Sequence, residues 1–217
     1  MHIEPGLVAP AKVLIANVSA LGLLGFYARG LISQPVDLIR TLLAAIFFSV
    51  FMQGFHLSVG PSELHFVGAM AMYLTLGFLP TLYGFALGLL LQGLVFDPID
   101  LPNLAVNSLS LILPLLAVHY GLGRRLRDAA RGQRISWATI LKLDAAYYTG
   151  VTLMVGFWLA LADVATPVAA WATFAASYLA IVAIEPLVTY GALWLLKRYE
   201  DRPLVATCFS VGALRLA

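Results

Sequence analysis

The sequence is dominated by uninterrupted apolar runs that are long enough to cross a lipid bilayer. A hydrocarbon core about 30 Å thick needs about 20 helical residues, and in lipid a helix satisfies its own backbone hydrogen bonds. The runs are continuous and lack the alternation of barrel strands, so they predict helices. Only 11% of the residues are charged and 61% are hydrophobic, whereas a soluble domain is about 25% charged. We therefore expect an all-α integral membrane protein with a single transmembrane domain, 1–217.

Seven runs are expected to form the spans of a helical bundle. They cover 8–28, 35–55, 64–79, 81–96, 104–122, 139–162 and 168–196. The third and fourth runs are the shortest, and they meet at Phe78-Leu79-Pro80-Thr81. This pair can alternatively be one bent or re-entrant unit.

Basic residues indicate the orientation of the bundle. With seven spans and the amino terminus outside, twelve of the thirteen lysines and arginines fall on the cytoplasmic side, and Lys12 is the exception. This agrees with the positive-inside rule, so the arginine-rich loop 124–134 is interpreted as an orientation signal and not as a nucleic-acid-binding site. The outer side carries acidic residues that would attract cations, namely Glu4, Glu63, Asp97, Asp100 and Asp163.

The start of the chain offers a chelating group. No basic segment precedes the first apolar run, so we expect no cleaved signal peptide and a retained Met1. The amine of Met1 and the backbone and imidazole nitrogens of His2 can hold one metal ion in a plane, and a distant histidine can add the fourth nitrogen. Square-planar nitrogen sites are typical of Ni(II) and Cu(II). A start with no ligand role remains the alternative.

Two loops can supply the remaining groups. The loop Gln53–His65 contains Gly60 and Pro61, which predict a turn with His56 on one side and His65 on the other. The stretch Gln92–Asn107 carries amides at span ends. These amides can orient a metal ligand, although a capping role explains Asn103 and Asn107 equally well.

These residues resemble a known family. Met1-His2-Ile3, Ser62-Glu63-Leu64-His65 and the stretch from Gln92 through Phe96 to Asn107 are similar to the substrate-specific membrane subunits of cobalt and nickel energy-coupling-factor transporters. The resemblance implies a seven-helix bundle with the amino terminus folded into an outward-facing pocket. It implies Met1, His2 and His65 as metal ligands, with supporting roles expected for His56, Glu63 and Asn107. Three features depart from the family pattern: Glu4-Pro5-Gly6, the additional His56, and Pro98–Pro102 in place of a glycine-rich run.

The resemblance also implies the transport system around this chain. The cargo would be Ni(II) or Co(II), and the partners would be a coupling membrane subunit, two ATP-binding-cassette ATPases and a small accessory membrane protein. The chain has no G-x-x-x-x-G-K-[ST] motif of its own, so it is not expected to be an enzyme that hydrolyses ATP by the P-loop route. Its expected place is the inner (plasma) membrane.

Two other functions remain open at this stage. A substrate subunit for an organic vitamin would need a large aromatic-lined pocket. An intramembrane enzyme would use Glu185, Asp144 and His119, since ionisable residues within spans are often functional. A salt bridge from Asp144 to Lys142 or to an arginine is the simpler explanation of that carboxyl group.

Overall fold

The architecture was obtained as a computed structural model that describes residues 6–59, 62–124, 134–163, 166–212 and 214–217. The described chain is mostly helical. Its α-helices are α1 (Pro10–Ile32), α2 (Pro35–Gly54), α3 (Ala69–Leu76), α4 (Phe78–Val95), α5 (Leu104–Val118), α6 (Trp137–Ala160), α7 (Val168–Arg198) and α8 (Pro203–Cys208). A 3₁₀ segment, Pro98–Asn103, precedes α5, and a π-helical turn, His119–Gly123, follows it. Two short strands, β1 (His56–Val59) and β2 (Ser62–His65), lie between α2 and α3.

Local sequence explains where several helices begin. Proline stands at the first position of α1, α2 and α8, where its missing N–H costs nothing and its fixed φ suits a helix. At the start of α6 the Ser136 hydroxyl accepts a hydrogen bond from the Thr139 N–H at 3.2 Å, which satisfies one of the free amides of the first turn.

Five described helical stretches have the length and apolarity needed to cross a membrane. They are Pro10–Ile32, Pro35–Gly54, Phe78–Val95, Pro98–Gly123 and Val168–Arg198. Helix α6 is 24 residues long, but it is less apolar because it carries Lys142, Asp144 and two tyrosines. The mostly helical membrane architecture agrees with the expected all-α protein except for the two short strands, and the count of seven spans stays a prediction.

The expected continuous span 64–79 is not present, and the structure corrects it. Residues 62–65 form β2, and α3 has only eight residues, or about 12 Å of helix. Gly68 (φ 64°) and Gly77 (φ 109°) bound α3 in conformations that favour glycine, and every residue of α3 is buried. Non-helical backbone is tolerated at membrane depth where protein surrounds it, and the alternative of one bent or re-entrant unit for the third and fourth runs stays a prediction.

Close approach of α2 and α4 forms the centre of the bundle. These two helices share the most extensive helix–helix contact in the described chain. A Cβ atom added at Gly84 would lie 3.2 Å from the Ala44 carbonyl carbon and 3.3 Å from its Cα. The glycine therefore allows the two backbones to approach, as small residues commonly do between membrane helices. Helix α1, in contrast, exposes most of its surface, as expected of a lipid-facing helix.

The carboxyl-terminal segment packs across the end of the bundle opposite the hairpin. The Arg40 guanidinium donates hydrogen bonds to the Thr207 and Phe209 carbonyl oxygens at 3.2 and 3.1 Å. Val211 and Leu214 are buried. This segment therefore closes one end of the bundle and leaves the other end to the hairpin.

Candidate metal site

The hairpin β1–β2 separates polar from apolar side chains. Its strands are antiparallel, with His56 opposite His65 and Leu57 opposite Leu64. Side chains alternate between the two faces of a strand, so Glu63 and His65 share one face with His56, while the leucines lie on the other. The imidazole rings of His56 and His65 have centroids 6.2 Å apart. The strand pairing thus brings the two histidines side by side, while the residues of the predicted turn, Gly60 and Pro61, lie outside the described residues.

His65 is held by hydrogen bonds at both ring nitrogens. Its side chain is buried, with a residue exposure of 3%. Nδ1 lies 3.3 Å from the Met52 carbonyl oxygen, and because a carbonyl can only accept, Nδ1 is the donor. Nε2 lies 2.9 Å from Glu63 Oε2. The Met52 contact fixes the ring orientation and leaves Nε2 as the nitrogen that can release its proton and bind a metal ion.

A small cavity lies beside this imidazole. Its volume is about 150 Å³, and its lining combines polar groups with two larger apolar side chains: Met52, Gln53, His56, Glu63, His65, Gln92, Phe96 and Asp97. The residues come from the end of α2, both strands and the end of α4, so four elements define its shape. The cavity is large enough for an ion and a few atoms around it.

Amide side chains form a fixed support on one side of the cavity. Gln92, which is buried, donates from Nε2 to Gln53 Oε1 at 2.7 Å and accepts from the Ser49 hydroxyl at 3.2 Å. These contacts join α2 to α4 and orient the Gln92 amide. The supporting role expected for the amides of the Gln92–Asn107 stretch therefore has a structural basis at Gln92.

The other predicted residues are distributed as follows. Met1 and His2 lie outside the described residues. Asn107 is buried in the first turn of α5, and it is not among the residues that line the cavity. Within the described ranges, no group of three or more histidine, cysteine, aspartate or glutamate side chains is placed to hold a metal ion. His65, Glu63 and His56 share one face of the hairpin, and their role as metal ligands or supporting residues stays a prediction.

The three residues considered for an intramembrane enzyme, Glu185, Asp144 and His119, do not form one cluster. The His119 Nδ1 atom lies 2.9 Å from the Tyr73 hydroxyl, and its ring stacks on Phe78 with centroids 3.8 Å apart. Glu185 instead accepts a hydrogen bond from the Met70 N–H at 3.1 Å. The expected salt bridge between Asp144 and Lys142 is absent among the described ion pairs, and the Lys142 side chain is exposed.

Sequence reasoning placed a turn in this loop and Asp97 on the outer side, but it missed the pairing of the two strands and the contribution of Gln53 and Asp97 to the cavity lining. A signal for the hairpin was present, because polar and apolar residues alternate in His56-Leu57-Ser58-Val59 and in Ser62-Glu63-Leu64-His65. Such alternation on both sides of a turn is the pattern of two paired strands. No comparable sequence signal predicts that Asp97 lines the cavity, since its position there depends on where α4 ends.

A known family and a solved structure resemble this chain. Residues 2–203 match the model of a family described as the cobalt uptake substrate-specific transmembrane region, CbiM. No curated protein matches the sequence. A solved crystal structure of a protein described as a transition metal transporter superposes with a TM-score of 0.73, covering 94% of this chain and 96% of that chain. At 18% sequence identity, this likeness shows a shared fold.

Proposed function

The chain belongs to the cobalt uptake substrate-specific transmembrane family, CbiM, and from this premise we propose that it is the substrate-binding component of an energy-coupling-factor importer for Co(II) or Ni(II). It is a multi-pass membrane protein of a metal-uptake family. In this proposal the chain captures the ion at the hairpin end of the bundle. That end is proposed to face the outer side of the inner (plasma) membrane, in agreement with the distribution of basic residues.

The observation that carries this proposal is the position of His65. Its imidazole is buried beside a cavity of about 150 Å³, and Nδ1 is bonded to the Met52 carbonyl. Metal-ligating histidines commonly donate a hydrogen bond from the N–H of their second ring nitrogen to a carbonyl or carboxylate in this way. Nε2 meets the Glu63 carboxylate at 2.9 Å, so a metal ion would replace the proton between them, and Glu63 would offset part of the ion's charge.

The proposed ligand set extends beyond the described residues. His65 Nε2 supplies one nitrogen, and the amine of Met1 with the backbone and imidazole nitrogens of His2 supplies three more. His56 lies opposite His65 and is proposed to act at the cavity mouth. Four nitrogens suit Ni(II), and Co(II) accepts the same donor atoms with lower affinity in the general order of divalent metals.

The size of the cavity at His65 favours a metal ion over an organic vitamin as its ligand. Pockets for organic ligands measure about 300–1,000 Å³ and are mostly apolar. The cavity at His65 has about 150 Å³ and is lined largely by polar side chains. A metal ion suits it better than a vitamin does.

The proposed partners follow from the energy requirement. The sequence contains no P-loop motif, so ATP hydrolysis by that route must come from other subunits. We propose a coupling membrane subunit and two ATP-binding-cassette ATPases, with a small accessory membrane protein. The chain itself is proposed to be no enzyme.

The amino terminus provides the test of this mechanism. Any residue placed before Met1 converts its amine to an amide, which is a far poorer donor, so an amino-terminal tag should abolish metal uptake. The same tag after Ala217 should be tolerated. Inserting one alanine between Met1 and His2 should also reduce uptake, because it moves the imidazole out of the chelate ring.

The measurement is uptake of Co(II) and of Ni(II) by cells with matched membrane levels of each tagged protein, together with the metal content of the purified protein by mass spectrometry. Stoichiometric cobalt or nickel in the untagged protein supports the proposal. Full uptake with the amino-terminal tag still attached would refute the amine ligand, and a retained organic molecule in place of metal would favour the vitamin alternative.

A further inference from the structure

Two carboxyl groups lie together in the core of the bundle, away from the metal cavity. Asp144 on α6 and Glu185 on α7 are both fully buried, at 0% exposure. They lie within hydrogen-bonding reach of one another. Neither residue lines the cavity beside His65. Two negative charges at this distance in an apolar medium repel each other strongly, so such pairs commonly share a proton.

Glu185 is surrounded by hydrogen-bond donors. Oε1 accepts from the Met70 N–H at 3.1 Å, and Oε2 accepts from the Tyr148 hydroxyl. The Gly68 N–H also reaches this carboxylate. Gly68 and Met70 stand at the start of α3, where backbone N–H groups are free and the helix dipole favours a negative charge. Glu185 therefore has the surroundings of an ionised carboxylate.

Asp144 has the opposite surroundings. Neither Oδ1 nor Oδ2 faces a hydrogen-bond donor among the described residues. No lysine, arginine or histidine in the described chain forms an ion pair with it. An ionised carboxylate without a donor is costly at membrane depth. A protonated Asp144, in contrast, can donate its O–H to Glu185, which is an acceptor.

A buried tyrosine hydroxyl also lies near the carboxyl pair. The Tyr147 hydroxyl is buried without a hydrogen-bond partner among the described residues, and it interacts electrostatically with Glu185. The polar and titratable groups that surround the pair come from α6, α7 and the start of α3, and they are the Gly68 and Met70 amides, Tyr147, Tyr148 and Tyr178. None of the side chains in this set is a cation.

We propose that Asp144 and Glu185 form a proton-binding site in which Asp144 carries the proton and donates it to the Glu185 carboxylate. One bound proton changes the charge of the pair from minus two to minus one. The hydrogen bond made by this proton links Asp144 on α6 to Glu185 on α7. Glu185 in turn accepts the Met70 N–H at the start of α3. Neither carboxyl group is among the metal ligands proposed above or lines their cavity.

The roles of the two carboxyl groups predict unequal effects of equivalent substitutions. In Asp144→Asn the amide N–H₂ replaces the acid O–H as a donor to Glu185, so the thermal unfolding midpoint should change little. In Glu185→Gln the new N–H₂ group faces donors on α3 and α6 and loses an acceptor, so the midpoint should fall clearly. Asp163→Asn is the matched control, because the Asp163 side chain is 57% exposed.

Infrared difference spectroscopy on the full chain in lipid nanodiscs tests the proton directly. Wild type at neutral pH should show the C=O stretch of a protonated carboxylic acid that shifts in D₂O. The band should disappear in Asp144→Asn and persist in Asp163→Asn. This readout does not involve metal, so it can fail or succeed independently of the transport function.

Several results would overturn the proposal. They are the absence of the acid band in wild type, its persistence in Asp144→Asn, or an Asp144→Asn protein that unfolds as readily as Glu185→Gln or does not fold. A wild type without the band whose stability depends on sodium would assign a cation to the pair in place of the proton.

Discussion

Replacing His65 by alanine is the most direct test of the metal site. If its imidazole is one of four nitrogen ligands, His65→Ala should weaken Co(II) or Ni(II) binding at least tenfold, or about 1.4 kcal/mol. The substitution also removes a ring that is only 3% exposed and its contacts with the Met52 carbonyl and Glu63. Hydrogen bonds contribute roughly 0.5–1.5 kcal/mol each, so a moderate loss of stability is expected as well.

The loss of stability must be separated from the loss of a ligand. His119→Ala is a suitable control, because it removes a histidine bonded to Tyr73 at 2.9 Å and stacked on Phe78 at 3.8 Å. It should lower the unfolding midpoint by a comparable amount and leave metal affinity unchanged.

Affinity is measured by isothermal titration calorimetry or by competition with a coloured chelator, on detergent-purified protein well below its unfolding midpoint. Equal affinity in wild type and His65→Ala would remove His65 from the site. An equal loss in His119→Ala would attribute the effect to stability.

Three further results are expected. His56→Ala should weaken metal binding less than His65→Ala does, and a larger loss at His56 would mean that the two histidines have exchanged roles. Affinity should fall as pH is lowered from about 8 to about 5, because an imidazole with an ordinary pKa near 6.5 and a terminal amine near 7.8 must both release protons; a flat titration would indicate carboxylate ligands. Gly84→Ala should lower the unfolding midpoint, since a Cβ there meets the Ala44 backbone at 3.2–3.3 Å, whereas Gly22→Ala, with nothing within 4 Å, should not. Equal midpoints for the two glycine variants would contradict the packing argument.

The membrane architecture could be predicted from the sequence because it depends on local properties. An apolar run of about 20 residues commonly forms a helix in lipid, because a helix satisfies its own backbone hydrogen bonds, and several helices begin at prolines that the sequence displays. His65 was named in advance as a candidate ligand, and its ligand role stays a prediction. Its paired position opposite His56 follows from strand register, which short-range alternation already encodes.

The broken segment 62–77 needed the tertiary structure. Beyond Glu63 and His65 it is largely apolar, and it forms a strand, an extended link and eight helical residues where other helices surround it. Gly68 and Gly77 then take positive φ values, and Glu185, far along the chain, accepts the free amide of Met70. Such long-range compensation leaves no trace in local hydropathy.

The sequence by itself determined that this chain is a helical membrane protein with histidine and acidic groups at one end, because apolar length and charge placement act locally. Only the tertiary structure decided which side chains meet. It placed His65 beside Glu63 and Gln92 around one cavity, and it gave Asp144 a buried carboxylate as neighbour in place of the expected lysine. Side chains from different helices meet through packing angles and close backbone approach, and these depend on the whole bundle.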